Sequence, residues 1–377
     1  MKWKVQLCEL NYDENEVNAV NQVLRNEWLT MGEETSEFES EFTQLIKHDN
    51  KGVFVSSATA GLHMILMALG IKQNDEVIIP GLTFVSDANV VAQLGASPVF
   101  ADSVSLDNLN VSFDHIVSKI TSNTKAIVIV HFAGFPMDLI GLKDVCSNRG
   151  IALIEDCAHA PGASIKGEMC GSIADFSFFS FFSNKNLAVG EGGMVFAKDP
   201  DYERKIRLMR SHGMSAVTLQ RHLGRSISYD VECVGLNYRP DEIRAALGRV
   251  QLKKLGAANK TRKLLFDTYV SEFQDSNVKV PFSNVAIDTV PAYHIFPAIL
   301  PENIDRSAVI SRLKENGIQT SIHYPNFKDF TAYKSLVSPT DMPVVNQICD
   351  RELTLPLHPR MNENDVKEVT NALKKVL

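Results

Sequence analysis

The sequence predicts an α/β fold, a mainly parallel sheet with helices on both faces, followed by a smaller C-terminal α+β domain. Three observations carry this. Between residues 53 and 154, short apolar runs alternate with segments of helical periodicity, the order expected of strand–helix–strand units. Two of the runs, Ala126-Ile127-Val128-Ile129-Val130 and Ile151-Ala152-Leu153-Ile154, are apolar at every position, as strands covered on both faces are. Beyond Tyr238 the texture changes to a long amphipathic helix and then to mixed helix and strand.

The elements follow in order. Val17, Val20 and Val23 recur at helical spacing and predict a helix over 15–24. A turn at 27–32 leads into an acidic helix over 34–47. Strands are expected at 53–55, 77–79, 98–101, 126–130 and 151–154, with helices at 60–69, 86–94 and 139–148 between them. A long helix begins at Asp241 and continues, or is followed by another, to about Phe273. Strands are expected near 293–300 and 320–323. The domain boundary is placed near Leu255, giving a large domain of 1–255 and a small one of 256–377.

Composition narrows the function. The chain has 377 residues, enough for two domains, with 45% hydrophobic and 22% charged residues, ordinary globular usage. A net charge of −7 without a basic block argues against nucleic-acid binding. No apolar run approaches the roughly 20 residues that span a bilayer, and Met1-Lys2-Trp3-Lys4 leads into polar sequence, so a cytoplasmic protein without membrane partners is expected. The six cysteines are dispersed with no C-x-x-C pair; they read as reduced structural thiols, and no metal site is expected.

Three segments carry chemistry. Ser56-Ser57-Ala58-Thr59-Ala60-Gly61 joins a short strand to a helix, and its small residues let backbone N–H groups approach an anion; an ordinary helix cap has the same pattern. Glu155-Asp156-Cys157-Ala158-His159 follows an apolar strand, so Asp156 stands at a buried strand end where a carboxylate calls for a cationic partner. The alternatives are a helix cap or a core-paired carboxylate for Asp156 and a core histidine for His159. Lys185 follows the aromatic run of 175–183 and precedes Gly190-Glu191-Gly192-Gly193. Desolvation there lowers a lysine pKa, as a Schiff-base nucleophile needs. An anion cradle, a carboxylate for a ring nitrogen and an amine for an aldehyde together match pyridoxal 5′-phosphate (PLP).

In these segments the chain resembles the DegT/DnrJ/EryC1/StrS sugar aminotransferases of PLP fold type I. Further landmarks are Trp28-Leu29-Thr30-Met31-Gly32, Glu76-Val77-Ile78-Ile79-Pro80-Gly81-Leu82-Thr83-Phe84, Gly235-Leu236-Asn237-Tyr238-Arg239 and His323-Tyr324-Pro325. The resemblance implies a seven-stranded-type sheet, Lys185 as the Schiff-base lysine and Asp156 on the pyridine nitrogen. It further implies Ala58, Thr59 and Ser180 on the phosphate, Phe84 stacked on the ring and His159 beside the ring hydroxyl. Thr30, His323 and Tyr324 would lie on the substrate side. Asn237 would reach the phosphate of a neighbouring subunit, which implies a homodimer with shared sites. His159 stands where the family most often has glutamine, and Ala58 where it often has glycine.

The activity implied is ping-pong transfer of an amino group from glutamate to a keto-sugar, a nucleotide-linked keto-deoxyhexose being expected. Alternatives are a keto-inositol aminotransferase, a lysine-dependent sugar elimination, or a non-catalytic sensor of PLP or sugar nucleotide. Arg210 and Arg239 are candidates for the donor carboxylate. The polar stretch with His212, Gly213, Arg221 and His222 reads as a surface excursion at the subunit interface.

Overall fold

A computed structural model describes residues 3–215, 228–338 and 340–377; Arg221 and His222 lie outside them. The central sheet has seven strands: β1 (Val53–Val55), β2 (Glu76–Pro80), β3 (Ser97–Ala101), β4 (Thr124–Val130), β5 (Ala152–Asp156), β8 (Phe176–Ser180) and β9 (Gly193–Ala197). Between β5 and β8 the short strands β6 (Ser164–Ile165) and β7 (Glu168–Met169) pair with each other, and β6 also pairs with β10 (Thr289–Val290). The sheet order is β1-β9-β8-β5-β4-β2-β3. Every pairing from β8 to β3 is parallel. β9 is antiparallel to both β8 and β1, so β1 runs with the parallel set and β9 alone against it. The carboxyl ends of β1, β2, β4, β5 and β8 therefore meet at one edge, joined by the amino end of β9. Ligands of open α/β sheets sit at that edge.

Strand alternation sends side chains to two buried faces. Val55, Val77, Ile79, Val128, Ile154 and Phe178 pack into one core with helix Ala58–Ala68. Phe54, Phe179, Phe181 and Phe196 pack on the other face against Phe38 and Phe42, while Ile78, Ile127, Ile129 and Leu153 pack there against Leu142 and Cys146. The fully apolar strands read from the sequence are thus apolar because both faces are covered.

The first helix runs Glu14–Arg25, closed by a capping box of Asp13 and Glu16. Its expected valine face is only partly inward: Val23 is buried, but Val17 is exposed. The buried side chain beside Val23 is Glu16, which accepts from Gln251 at 2.6 Å and pairs with Lys254 at 2.7 Å. A polar interhelical contact has replaced the apolar one that the spacing suggested.

Residues 242–273 form one continuous 32-residue helix, Glu242–Phe273. Leu255 lies inside it, and the helix touches Glu14–Arg25 and Glu33–Ile46 as well as the C-terminal helix Glu363–Val376. The change of texture thus runs along a shared helix with no linker. In the C-terminal part β11 (Phe296–Ile299) pairs antiparallel with β12 (Glu352–Leu355). The strand expected at 320–323 is reduced to an isolated bridge from Ser321 to Thr354, on the edge of β12 away from β11. Neither β12 nor the short helix Phe113–Lys119 was expected. No described helix is long and apolar enough to cross a membrane.

Candidate active site

A cavity of about 430 Å³ opens where the strands end. Its lining includes Ala58, Thr59, Phe84, Asp156, His159, Ser180, Lys185, His323 and Tyr324. Nine of the residues expected at the site are therefore gathered in one place. Thr30 and Asn237 are not among the lining residues: Thr30 bridges to Asp241, and Asn237 bridges to Ser211 and is exposed. Arg210 is also elsewhere, buried against the Glu39 carboxylate at 2.6 Å and the Phe54 carbonyl at 2.7 Å. Arg239 does not line the cavity either.

The anion end is built by β1 and the helix that follows it. Ser57 caps helix Ala58–Ala68, its Oγ accepting from Ala60 N–H at 3.1 Å. The first N–H groups of a helix have no partners within it and are positive, which suits a phosphate. A Cβ on Gly193 would stand 2.7 Å from Ala58 N, so β9 can approach this loop only through glycine. Ser180 closes the far side; its Oγ accepts from Phe182 N–H at 3.3 Å, leaving the hydroxyl proton to donate.

The other end is ionisable. Asp156 ends β5 and is 6% exposed. Oδ1 accepts from Ala158 N–H at 2.8 Å. Burial lifts its pKa to about 6, against the pull of that N–H, Lys185 and His131. A carboxylate held this way is stabilised by a cation placed against it. Lys185, half-buried on the turn after β8, has its amine drawn down to about 8 by desolvation, against the pull of Asp156 and Asp87. A fraction of it is therefore the free nucleophile near neutrality.

His159 accepts from Ala133 N–H through Nδ1 at 3.2 Å. Its proton is therefore on Nε2, which donates to Tyr324 Oη at 3.1 Å. Burial, then Lys185 and His323, keep its pKa well below the usual value. Tyr324 Oη thus accepts from a neutral ring and keeps its own proton to donate. Phe84, 55% exposed, stands 5.9 Å from the Tyr324 ring at the mouth.

Sequence reasoning missed several neighbours. Asp87 is fully buried, accepts from Thr83 Oγ1 at 2.6 Å, and has its pKa raised by burial and by Asp156. Its position just past β2 was the available signal. The His294 ring lies 4.4 Å from that of His159. Asn184 lines the cavity with Oδ1 buried and unpaired. Glu352 and Thr354 stand behind His323, and no local pattern announced them.

A helix N-terminus with hydroxyl donors, a buried carboxylate short of a cation and a depressed lysine amine fit the phosphate, ring nitrogen and aldehyde of PLP. The chain matches the model of the DegT/DnrJ/EryC1/StrS aminotransferase family over residues 11–374. It is 35% identical to the uncharacterized protein MJ1066 of Methanocaldococcus jannaschii, over 97% of this chain and 95% of that protein. Among solved structures it resembles the aminotransferase TlmJ from Streptoalloteichus hindustanus, with a TM-score of 0.91, 29% identity and 98% of each chain covered. It also resembles Spr1654 from Streptococcus pneumoniae in its PLP-form, with a TM-score of 0.90, 28% identity and 100% of each chain covered.

Proposed function

Because the chain belongs to the DegT/DnrJ/EryC1/StrS aminotransferase family, a PLP-dependent family of sugar aminotransferases, we propose that it moves an amino group from glutamate to a ketone of a nucleotide-linked keto-deoxyhexose. The observation that carries this reading is the single cavity at the strand ends that Lys185, Asp156 and the helix N-terminus at Ala58 and Thr59 line together.

Bound PLP supplies an aldehyde carbon to capture amines and a ring that accepts electrons. Asp156 holds a proton on the ring nitrogen. The helix N-terminus at Ala58 and Thr59, with Ser180, anchors the phosphate. Lys185 Nζ would hold the aldehyde and, once free, would be the base and acid for the proton of the donor α-carbon. Tyr324 Oη–H and the neutral His159 orient the ring oxygen. Because one product leaves before the ketone enters, initial rates follow a ping-pong pattern. Mixing the enzyme with glutamate and a panel of nucleotide keto-sugars tests this; 2-oxoglutarate release without any sugar amination refutes the acceptor.

The working unit in this reading is a homodimer. Asn237 is exposed and outside its own cavity, as a residue serving a neighbour would be. An Asn237→Asp chain should bind PLP weakly, since a carboxylate would face a phosphate. Mixed with inactive Lys185→Ala chains, its heterodimers should regain one intact site, about half of wild-type activity per dimer. A fully active monomer in sedimentation overturns the shared site.

A further inference from the structure

We propose that Glu352, Thr354 and His323 form a proton wire that ends in the active-site cavity and lends a proton to the oxygen of the bound ketone. This rests on the aminotransferase reading above.

The geometry is a short chain of hydrogen bonds. Glu352 and Thr354 on β12 are fully buried. Thr354 Oγ1 is 2.5 Å from Glu352 Oε1 and 2.8 Å from His323 Nδ1. Glu352 Oε2 accepts from His323 N–H at 2.8 Å, fixing the carboxyl in place. His323 lines the cavity; with Nδ1 taken by Thr354, Nε2 is the ring nitrogen left for a cavity group.

A threonine hydroxyl has one proton, so the chain has two consistent settings. With Glu352 ionised, Thr354 donates to Oε1, His323 donates Nδ1–H to Thr354, and Nε2 is bare. With Glu352 neutral, Oε1–H donates to Thr354, Thr354 donates to Nδ1, and Nε2 carries the proton. Passing from the second to the first breaks Oε1–H, Thr354 Oγ1–H and Nε2–H. It forms Thr354 Oγ1–H, Nδ1–H and one O–H bond on the cavity oxygen. When an amine condenses with a ketone, the oxygen leaves as water with two protons that the amine nitrogen gives up. The wire lends one to the oxygen, and the amine refills it through Nε2, so the balance is that of the condensation alone.

The surroundings favour this route over an imidazolium. Burial and then Lys185 push His323 down to about 3, so the ring does not store the proton itself. Glu352 is raised to about 8 by burial, against Thr354, the His323 N–H and Arg306. The groups facing it come from each neighbouring element. Arg306 donates to the backbone carbonyls of Cys349 and Glu352, Cys349 and Asp350 precede it, and His323 and Tyr324 lie across from it. Its β11 partner, Ile299, brings no charge.

The test is ring-nitrogen NMR of the PLP-loaded enzyme labelled with 15N-histidine, with His323 assigned from His323→Asn. Between pH 6 and 9.5 the wild type should change from Nε2–H to bare Nε2, with a midpoint near pH 8. Glu352→Gln should hold Nε2–H throughout, since its amide mimics the neutral acid. Thr354→Ser should titrate as wild type and Thr354→Val should not. In single turnovers with glutamate forward and 2-oxoglutarate, a simple ketone, in reverse, Thr354→Val should slow both directions by roughly 10²-fold and leave their ratio unchanged. One tautomer at every pH in the wild type, or a wild-type titration in Thr354→Val, overturns the wire. Failure of the wild type to react with glutamate overturns the proposed donor instead, whatever the tautomer does.

Discussion

Glu155 and Asp156 are neighbours on β5, both buried, and strand alternation sends them to opposite faces. On one face Glu155 is saturated. Oε1 accepts from Ile173 and Ala174 N–H at 2.9 and 2.7 Å, and Oε2 from Gly171 N–H and His131 Nε2 at 2.8 and 3.0 Å. Burial opposes its charge, but His131 and the backbone donors hold its pKa below the usual value. On the other face burial prevails and Asp156 is raised to about 6. The number of donors, not the depth of burial, separates a carboxylate that holds the fold from one available to a ligand.

The largest expected effect lies on the Asp156 side. Lys185→Ala should lower turnover by at least about 10⁴-fold, since both covalent capture and proton transfer are lost, with an unchanged circular dichroism spectrum. Borohydride reduction of the wild type, followed by peptide mapping, should place the pyridoxyl adduct on Lys185; an adduct on another lysine breaks the assignment.

The two neighbours should then part. Asp156→Asn should cost about 10²–10³-fold in activity, because an amide does not hold the ring proton. Without cofactor the same change should stabilise the fold. A folded pKa above the unfolded one means stability falls as pH rises from about 4 to about 6 and stays lower above. Removing the carboxyl recovers of the order of 2 kcal/mol at pH 7. Glu155→Gln should do the reverse, costing about 3 kcal/mol by turning an amide N–H toward donors and leaving kcat within a few-fold. Its lowered pKa makes the wild-type contribution present above about pH 4.5 and lost as pH falls. Equal effects of the two variants on both measurements would erase the contrast.

A smaller effect concerns the amine. PLP capture by cofactor-free protein, followed by absorbance, should quicken severalfold as pH rises through about 8, where Lys185 loses its proton. A rate flat from pH 7 to 9 would mean that Asp156 and Asp87 hold the ammonium more firmly than burial releases it.

The same contrast explains what the sequence disclosed. Asp156 was legible because it ends a strand whose apolar run marks it as buried, and Lys185 because it follows an aromatic strand on the turn beyond β8; the sheet rule says where such ends point. The difference between Glu155 and Asp156 was not. It depends on the N–H groups of Gly171, Ile173 and Ala174, a turn whose approach to β5 no spacing encodes. Glu352 and Thr354 were missed for a related reason. In Glu352-Leu353-Thr354-Leu355 the polar and apolar residues alternate, as in a half-exposed strand, yet all four are buried. Only pairing across the fold to His323 gives the polar two a purpose. Val17 failed in the opposite direction, because a helix pattern does not say that Glu16 will find Lys254.

The smallest effect sharpens the comparison most. If donor number is what holds Glu155 ionised, no single donor should be indispensable. His131 accepts from Met137 N–H through Nδ1 at 3.1 Å and donates to Glu155 through Nε2, one donor of four. His131→Gln keeps an N–H for Glu155 and loses the geometry at Met137, and should cost only about 1 kcal/mol, against about 3 kcal/mol for Glu155→Gln. Urea unfolding of the cofactor-free proteins reads this as a small shift in midpoint at constant slope. The acid limb of stability, set by Glu155, should remain, since Gly171, Ile173 and Ala174 still hold the carboxylate. A loss in His131→Gln as large as in Glu155→Gln, or a vanished acid limb, would show that the histidine contact rather than the backbone donors keeps this face of β5 closed.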